Sequence, residues 1–276
     1  MSLGNLGVVL RARAPIINNT LKALIDPWRT SSTPIIPAVK RFRGFWAFVH
    51  PQFLTMDLNH YEPHVLDWLA ASIKPGDCVL DIGANMGLLS LLMAKLCGSA
   101  GSVYAFEPSP ALCGRIEYHK RKNRLHQLRV QPLAVSDKHG ETISFYLLGD
   151  GKDSRNSLVF SGEKADNFDQ PLYASRKEIH VQTATVDAFC NENGCKPTLL
   201  KIDVEGAELL VLRGALHILA ELKPRIVLAV HPWWLPAGQT TADIVSLLQS
   251  LGYVIKDLSG QEVEVLEYGE YLCLPR

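Results

Sequence analysis

Cys78-Val79-Leu80-Asp81-Ile82-Gly83-Ala84-Asn85-Met86-Gly87 is a short apolar run that breaks into glycines, and residues 88–96 after it are apolar almost all round. A run of strand length, a glycine turn and a helix without a polar face form the strand–turn–helix unit of a parallel sheet buried on both sides. Glycine in such a turn lets the backbone approach a ligand closely. A dinucleotide fingerprint would need glycine at positions 85 and 88, where Asn85 and Leu88 stand, so a pyrophosphate cradle is not supported. Asp81 points the same way: an acid beside the turn repels phosphate and accepts hydrogen bonds from an ammonium group, directly or through water. The turn therefore reads as a site for a ligand that carries a cation.

The same alternation continues outward. Upstream, Val65, Leu66, Leu69 and Ile73 recur at helical spacing until Lys74-Pro75-Gly76-Asp77 stops the helix. Downstream, residues 103–106 read as a strand, and Ser109-Pro110 opens a helix that runs to about residue 122. Residues 128–135 and 142–148 read as two further strands joined by a turn at 137–140, a hairpin-like insertion. Residues 149–174 are polar and without period, a long loop of the kind that recognises acceptors. Strand 199–202, helix 205–219, strand 226–230 and helix 241–251 follow. This order implies an α/β fold with a doubly wound, mostly parallel, Rossmann-like sheet and a ligand crevice at the carboxyl ends of the strands.

Residues 51–276 are expected to form that domain. Residues 1–50 differ, with Arg11, Arg13, Lys22, Arg29, Lys40, Arg41 and Arg43 opposed only by Asp26, and prolines at 15, 27, 34 and 37. They read as a basic, partly apolar extension of short helices and turns. Packing on the main domain is its first reading, and peripheral membrane contact or cover for the acceptor the second.

The whole chain of 276 residues is 47% apolar and 20% charged, a globular composition. Its 28 basic and 28 acidic side chains create no global field for a polyanion, so no nucleic-acid partner is expected. Six scattered cysteines argue for reduced thiols, and Cys190 and Cys195 lack the second pair a zinc site needs. Apolar residues near the start are interrupted by Arg11, Arg13 and Pro15, and no run reaches the roughly 20 residues that span a bilayer. The expected compartment is the cytoplasm.

Two more constellations stand at strand ends. Glu107, in Ala105-Phe106-Glu107-Pro108, ends the second strand, where an acid accepts hydrogen bonds from both hydroxyls of a ribose. With the glycine turn it indicates a nucleoside ligand. Lys201-Ile202-Asp203-Val204-Glu205-Gly206-Ala207-Glu208 places carboxylates at another strand end, where capping and catalysis coexist. His231 follows the next strand, before Pro232-Trp233-Trp234. A hydroxyl acceptor needs a base, and Asp203, Glu205 and His231 are the candidates as a group. A metal joining Asp203 and His231 would also activate a hydroxyl, and no metal site is assigned.

These motifs together resemble the FkbM-type class I methyltransferases. The resemblance runs from about Tyr61 to His231 and adds Ala134-Val135-Ser136-Asp137 and Thr185-Val186-Asp187 to the stretches above. It implies S-adenosylmethionine as methyl donor and O-methylation of a small-molecule or glycan acceptor with a free hydroxyl. Cofactor contacts carry over to Asp81, Gly83, Asn85 and Glu107, and the full cofactor-binding set is expected to include Ala84, Gly87, Pro108, Ala134 and Asp203. His119 replaces the first of two asparagines usual in the helix after Glu107, Asn123 keeps the second, and Ala229 stands where an acid usually precedes the histidine. The competing readings are a nucleic-acid methyltransferase, disfavoured by the neutral charge and by the absence of an Asn-Pro-Pro-aromatic segment after Ile202, and a non-catalytic cofactor-binding or membrane-associated module.

Overall fold

The computed structural model describes residues 37–148 and 176–276. Expectations for the first 36 residues and for the loop at 149–174 lie outside the described residues. The chain opens with a hairpin, β1 (Ala38–Phe42) and β2 (Phe45–Val49), followed by α1 (Pro63–Ser72). The α/β alternation is β3 (Cys78–Ile82), α2 (Leu88–Cys97), β4 (Ser102–Phe106), α3 (Pro110–Asn123) and β5 (Leu128–Gln131). A small insertion holds β6 (Ala134–Val135), β7 (Thr142–Leu147) and β8 (Lys177–Ala184). Then come α4 (Val186–Asn193), β9 (Leu199–Ile202), α5 (Glu208–Arg213), α6 (Leu216–Glu221), β10 (Arg225–Val230), α7 (Thr241–Ser250), β11 (Tyr253–Asp257) and β12 (Gly269–Pro275).

The central sheet has seven strands in the order β11-β12-β10-β9-β3-β4-β5, and β12 alone runs antiparallel to its neighbours. The chain enters at β3, winds out through β4 to β5 and returns to β9 on the other side of β3. Loops leaving β3 and β9 therefore part in opposite directions, which opens a crevice at their carboxyl ends. Side chains alternate across the sheet. Val79, Val103 and Leu199 meet Leu69, Leu91 and Ile116 on one face, while Leu80, Tyr104 and Leu200 meet Phe189, Leu212 and Leu248 on the other. Burial on both faces is why these strands read as unbroken apolar runs. No helix among the described residues is long and apolar enough to cross a membrane.

Four expectations are corrected. Residues 38–49 form a hairpin, not helices and turns; Phe42, Ala47 and Val49 are buried, and Val39, Trp46 and Phe48 alternate outward. The expected strand 128–135 divides at Pro132, which has no N–H for the ladder: Leu128–Gln131 joins β4, and Ala134–Val135 joins β8 in a second sheet. β7 pairs antiparallel with β8, so the hairpin between 128–135 and 142–148 is not formed. The helix expected over 205–219 is two short helices after a loop. It breaks at Gly214, where an added Cβ would lie 2.1 Å from the Ser136 carbonyl oxygen. Strands β8, β11 and β12 and helix α4 had not been read from the sequence.

Two motifs of the resemblance turn out to be structural joints. Thr185 caps α4, its hydroxyl accepting from Ala188 N (3.1 Å), and Asp187 accepts from His217 N and Ile218 N (3.0 and 2.9 Å), capping α6. The His119 and Asn123 positions dock the hairpin onto α3. Asn123 accepts from Phe48 N (2.9 Å) and donates to Phe48 O (2.7 Å), and His119 Nε2 accepts from His50 N (3.1 Å). Burial, reinforced by His50 and Arg115, drops the His119 pKa to about 3, so it is a neutral acceptor.

Candidate active site

A cleft of about 500 Å³ opens over the carboxyl ends of β3, β4, β9 and β10. At its β4 end Glu107 is buried, yet each carboxylate oxygen has a backbone donor: Oε2 accepts from Asn85 N (2.9 Å) and Oε1 from Ser109 N (2.8 Å). Each oxygen keeps a second lone pair, and the residue lines the cleft, so the carboxylate is set to receive two more donors side by side. A ribose diol supplies two. The turn that brings Asn85 N to Glu107 needs a left-handed residue at Asn85 (φ 51°). Burial pushes Glu107 up to about 8 despite the two N–H donors.

Gly83 lines the cleft and carries a further constraint. A Cβ there would lie 1.8 Å from the Asp203 carbonyl oxygen, so the glycine lets the loops after β3 and β9 touch each other. Beneath them Asp81 is fully buried and does not line the cleft. It accepts from the Ser90 hydroxyl, and its other oxygen lies 3.9 Å from Lys201 Nζ. Lys201 Nζ donates to Asp203 Oδ2 (3.0 Å) and to Gly83 O (3.2 Å), tying both loops to one buried ammonium. Burial opposes that charge, but Asp203, Asp81 and Glu62 outweigh it and hold Lys201 protonated.

At the β9–β10 end three polar side chains converge. His231 Nε2 lies 3.6 Å from Glu205 Oε2 and 3.9 Å from Asp203 Oδ1. Its Nδ1 is 2.6 Å from Oε1 of Glu208, which is fully buried and also accepts from Gly206 N (3.0 Å). This carboxylate fixes the imidazole with Nδ1 as donor. Burial would lower His231, but the Glu208 hydrogen bond and the charges of Glu205, Glu208 and Asp203 raise it to about 9. Burial pushes Glu205 up to about 7 against the opposing charge of His231. Burial also acts to raise Asp203, yet Lys201 and His231 prevail and hold it below the ordinary carboxylate range. Glu205 adopts a left-handed φ of 50°, a strained conformation of the kind that clusters at working sites. Asp203, Glu205 and His231 each offer one ligand atom within 4.8 Å of the others, a spacing a divalent cation would also accept.

Of the expected residues, Gly83, Asn85, Glu107, Pro108, Ala134, Asp203, Glu205 and His231 line the one cleft, whereas Asp81, Ala84 and Gly87 do not. Sequence reading missed Glu62, Tyr268 and Glu270, which also line it, and the roles of Lys201 and Glu208 behind it. Lys201 and Glu208 stood within the quoted motif; Tyr268 and Glu270 come with the unread strand β12. Tyr268 packs edge-on to His231 (5.6 Å) and stacks on Trp233 (5.4 Å), so one of the two tryptophans belongs to the rim of the site and is exposed. Ala229 lines the cleft where the resemblance would place an acid, and Glu205 supplies a carboxylate beside the histidine instead.

The residues suit the cofactor the resemblance implies: a carboxylate at Glu107 that can accept from a diol, and further carboxylates in the same cleft that can attract a cation. The sequence matches a family model described as the methyltransferase FkbM domain over residues 81–255. It is similar to the 31-O-demethyl-FK506 methyltransferase FkbM of Streptomyces tacrolimicus, 28% identical over 200 residues that cover 66% of this chain and 75% of that protein. It is also similar to the hexuronic acid methyltransferase AglP of Haloferax volcanii, 24% identical over 188 residues, 68% of this chain and 67% of that one. A crystal structure of methyltransferase FkbM from Methylobacillus flagellatus KT superposes with a TM-score of 0.43 at 14% identity, covering 76% of this chain and 52% of the other.

Proposed function

The chain belongs to the FkbM methyltransferase family with S-adenosylmethionine as its cofactor, and on that footing we propose that it methylates a hydroxyl oxygen of a sugar, glycan or natural product. The observation that carries this is the placing of Glu205, a proton acceptor set beside Asp203 and His231, in the same cleft as the diol-accepting Glu107. An amine acceptor is a nucleophile once neutral, whereas an alcohol gains most from a base. The name of one relative, a methyltransferase of a 31-O-demethyl substrate, supports transfer to oxygen, and that of another, a hexuronic acid methyltransferase, supports a sugar acceptor. Carboxylates at Glu62, Asp203, Glu205 and Glu270 line the cleft and disfavour a phosphate-rich acceptor.

When bound, the cofactor supplies a sulfonium methyl open to in-line attack, so the chain has mainly to align, shield and remove a proton. Glu107 would hold the ribose. Asp203, kept ionised by Lys201, would offset the sulfonium charge. Glu205, near 7, takes the acceptor's proton at neutral pH, and the adjoining imidazolium of His231, held by Glu208, stabilises the carboxylate that does so. The cluster titrates as a unit. The Trp233–Tyr268 stack at the rim offers an apolar ring surface to the carbon face of a sugar.

Calorimetric titration with S-adenosylhomocysteine, with NAD as control, is expected to show micromolar binding of the former alone. Labelled-methyl transfer across a panel of hydroxylated sugars and natural products should yield an alkali-stable ether. Transfer to amines or nucleic acid, or to none of the panel, would overturn the hydroxyl assignment. Chelation with EDTA should leave turnover intact; a loss restored by Mn²⁺ would move hydroxyl activation from the base to a cation.

Glu107 gives a second prediction. Its carboxyl, near 8 in the ligand-free cleft, is mostly protonated at pH 7, and two ribose hydroxyls favour the ionised form. Binding S-adenosylhomocysteine at pH 7 should therefore release close to ~1 proton, falling towards zero above pH 9. The check is the dependence of binding heat on buffer ionisation enthalpy. Glu107→Ala should abolish the release and weaken binding by at least about tenfold.

A further inference from the structure

We propose that Glu62 binds the ammonium group at the amino-acid end of the cofactor. The inference rests on the cofactor assignment and goes beyond it, to a residue on α1. A sulfonium sulfur has three arms. Glu107 over β4 would take the adenosyl arm, and the methyl would then point to the acceptor's base among Asp203, Glu205 and His231 over β9 and β10. The amino-acid arm leaves in the remaining direction and carries a cation that needs a carboxylate. Asp81, the sequence candidate, cannot serve: it has no exposed surface, and its oxygens face Ser90 and Lys201.

Glu62 lines the cleft beside Tyr61, within electrostatic reach of Lys201, Asp203 and Glu270. Lys201, the ammonium that Glu62 senses, also donates to the Gly83 carbonyl, so Glu62 shares the cleft with the group that ties the loops after β3 and β9 together. Its backbone is left-handed (φ 43°, ψ 59°) directly before Pro63, at the N-cap of α1, yet its side chain makes no capping hydrogen bond. An acid at a helix N-cap ordinarily caps. Here a strained backbone is kept while the carboxylate is turned to the cleft, the pattern of a residue held for a ligand. Tyr61, its neighbour in the chain, lines the cleft beside it.

The test compares S-adenosylhomocysteine with 5′-methylthioadenosine, which lacks the amino-acid arm, by calorimetry on the full chain. Wild type should prefer the former. Glu62→Gln should weaken S-adenosylhomocysteine about tenfold or more and leave methylthioadenosine within about twofold. Glu62→Gly, which relieves the left-handed strain, should lose the same preference with an unchanged or higher Tm, and Glu270→Gln should keep it. Unchanged affinity in Glu62→Gln, equal weakening of both ligands, or loss of the preference in Glu270→Gln would overturn the proposal. So would a wild type that binds both ligands equally, which leaves the cofactor assignment standing; binding of neither would overturn both.

Discussion

Glu205→Gln is expected to lower kcat by about 10²–10⁴-fold while S-adenosylhomocysteine affinity stays within about threefold. The amide keeps the size of the side chain and removes its capacity to take a proton. His231 cannot substitute, because Glu208 at 2.6 Å and the neighbouring carboxylates hold it protonated to about pH 9. Asp203 is a weak base for the same kind of reason: Lys201 at 3.0 Å holds its proton affinity down. Glu205 is raised, so its base form is lost as pH falls through about 7, and wild-type kcat/KM should rise with pH through that value. Steady-state rates from pH 5.5 to 9 check both points. A Glu205→Gln enzyme with a normal rate, or one that keeps the acid limb, would move the base elsewhere in the cluster.

Gly83→Ala is expected to cost about 2–5 kcal/mol of stability, the sum of ~1–2 for an L residue in the left-handed region and ~1–3 for overpacking. At φ 78° its new methyl would lie 1.8 Å from the Asp203 carbonyl oxygen and 2.8 Å from its carbonyl carbon. Backbone on both sides leaves no side chain to swing away. Against a typical domain stability of roughly 5–15 kcal/mol this is a large fraction. Gly76→Ala is the internal control, since φ is 90° there and nothing lies within 4 Å of the added Cβ. Denaturant midpoints of the two variants separate backbone strain from collision. If Gly83→Ala costs no more than Gly76→Ala, the close approach of the two loops is not a constraint. Because Asp203 is the residue displaced, any Gly83→Ala protein that folds should also turn over slowly.

The α/β core was legible because its strands are buried on both faces and announce themselves as apolar runs closed by glycine or acid, as Cys78–Ile82 and Leu199–Ile202 do. Glu107 and Asp203 were legible for the related reason that a charge at the end of such a run has nowhere to go but the crevice. β12 was not, because Gly269–Pro275 follows no helix and runs antiparallel between β10 and β11, outside the strand–helix alternation. With it went Tyr268 and Glu270. The Glu208–His231 bond joins residues 23 apart in sequence, a contact that only the packing of β9 and β10 creates. Gly83 was recognised with only one of its constraints: it lines the cleft as read, but local sequence cannot show that another loop also presses on it.

The hairpin is fastened to α3 by the Asn123 side chain reading the main chain of Phe48, and by His119 reading that of His50. Those are atoms every residue type but proline possesses. The side chains of Val39, Trp46 and Phe48 are exposed, and those fastening bonds do not use them. Across a lineage, the outer face of this strand pair is therefore free to be rewritten residue by residue while its seat on the domain stays where it is. Selection on that face can act on what it touches without first having to preserve the fold.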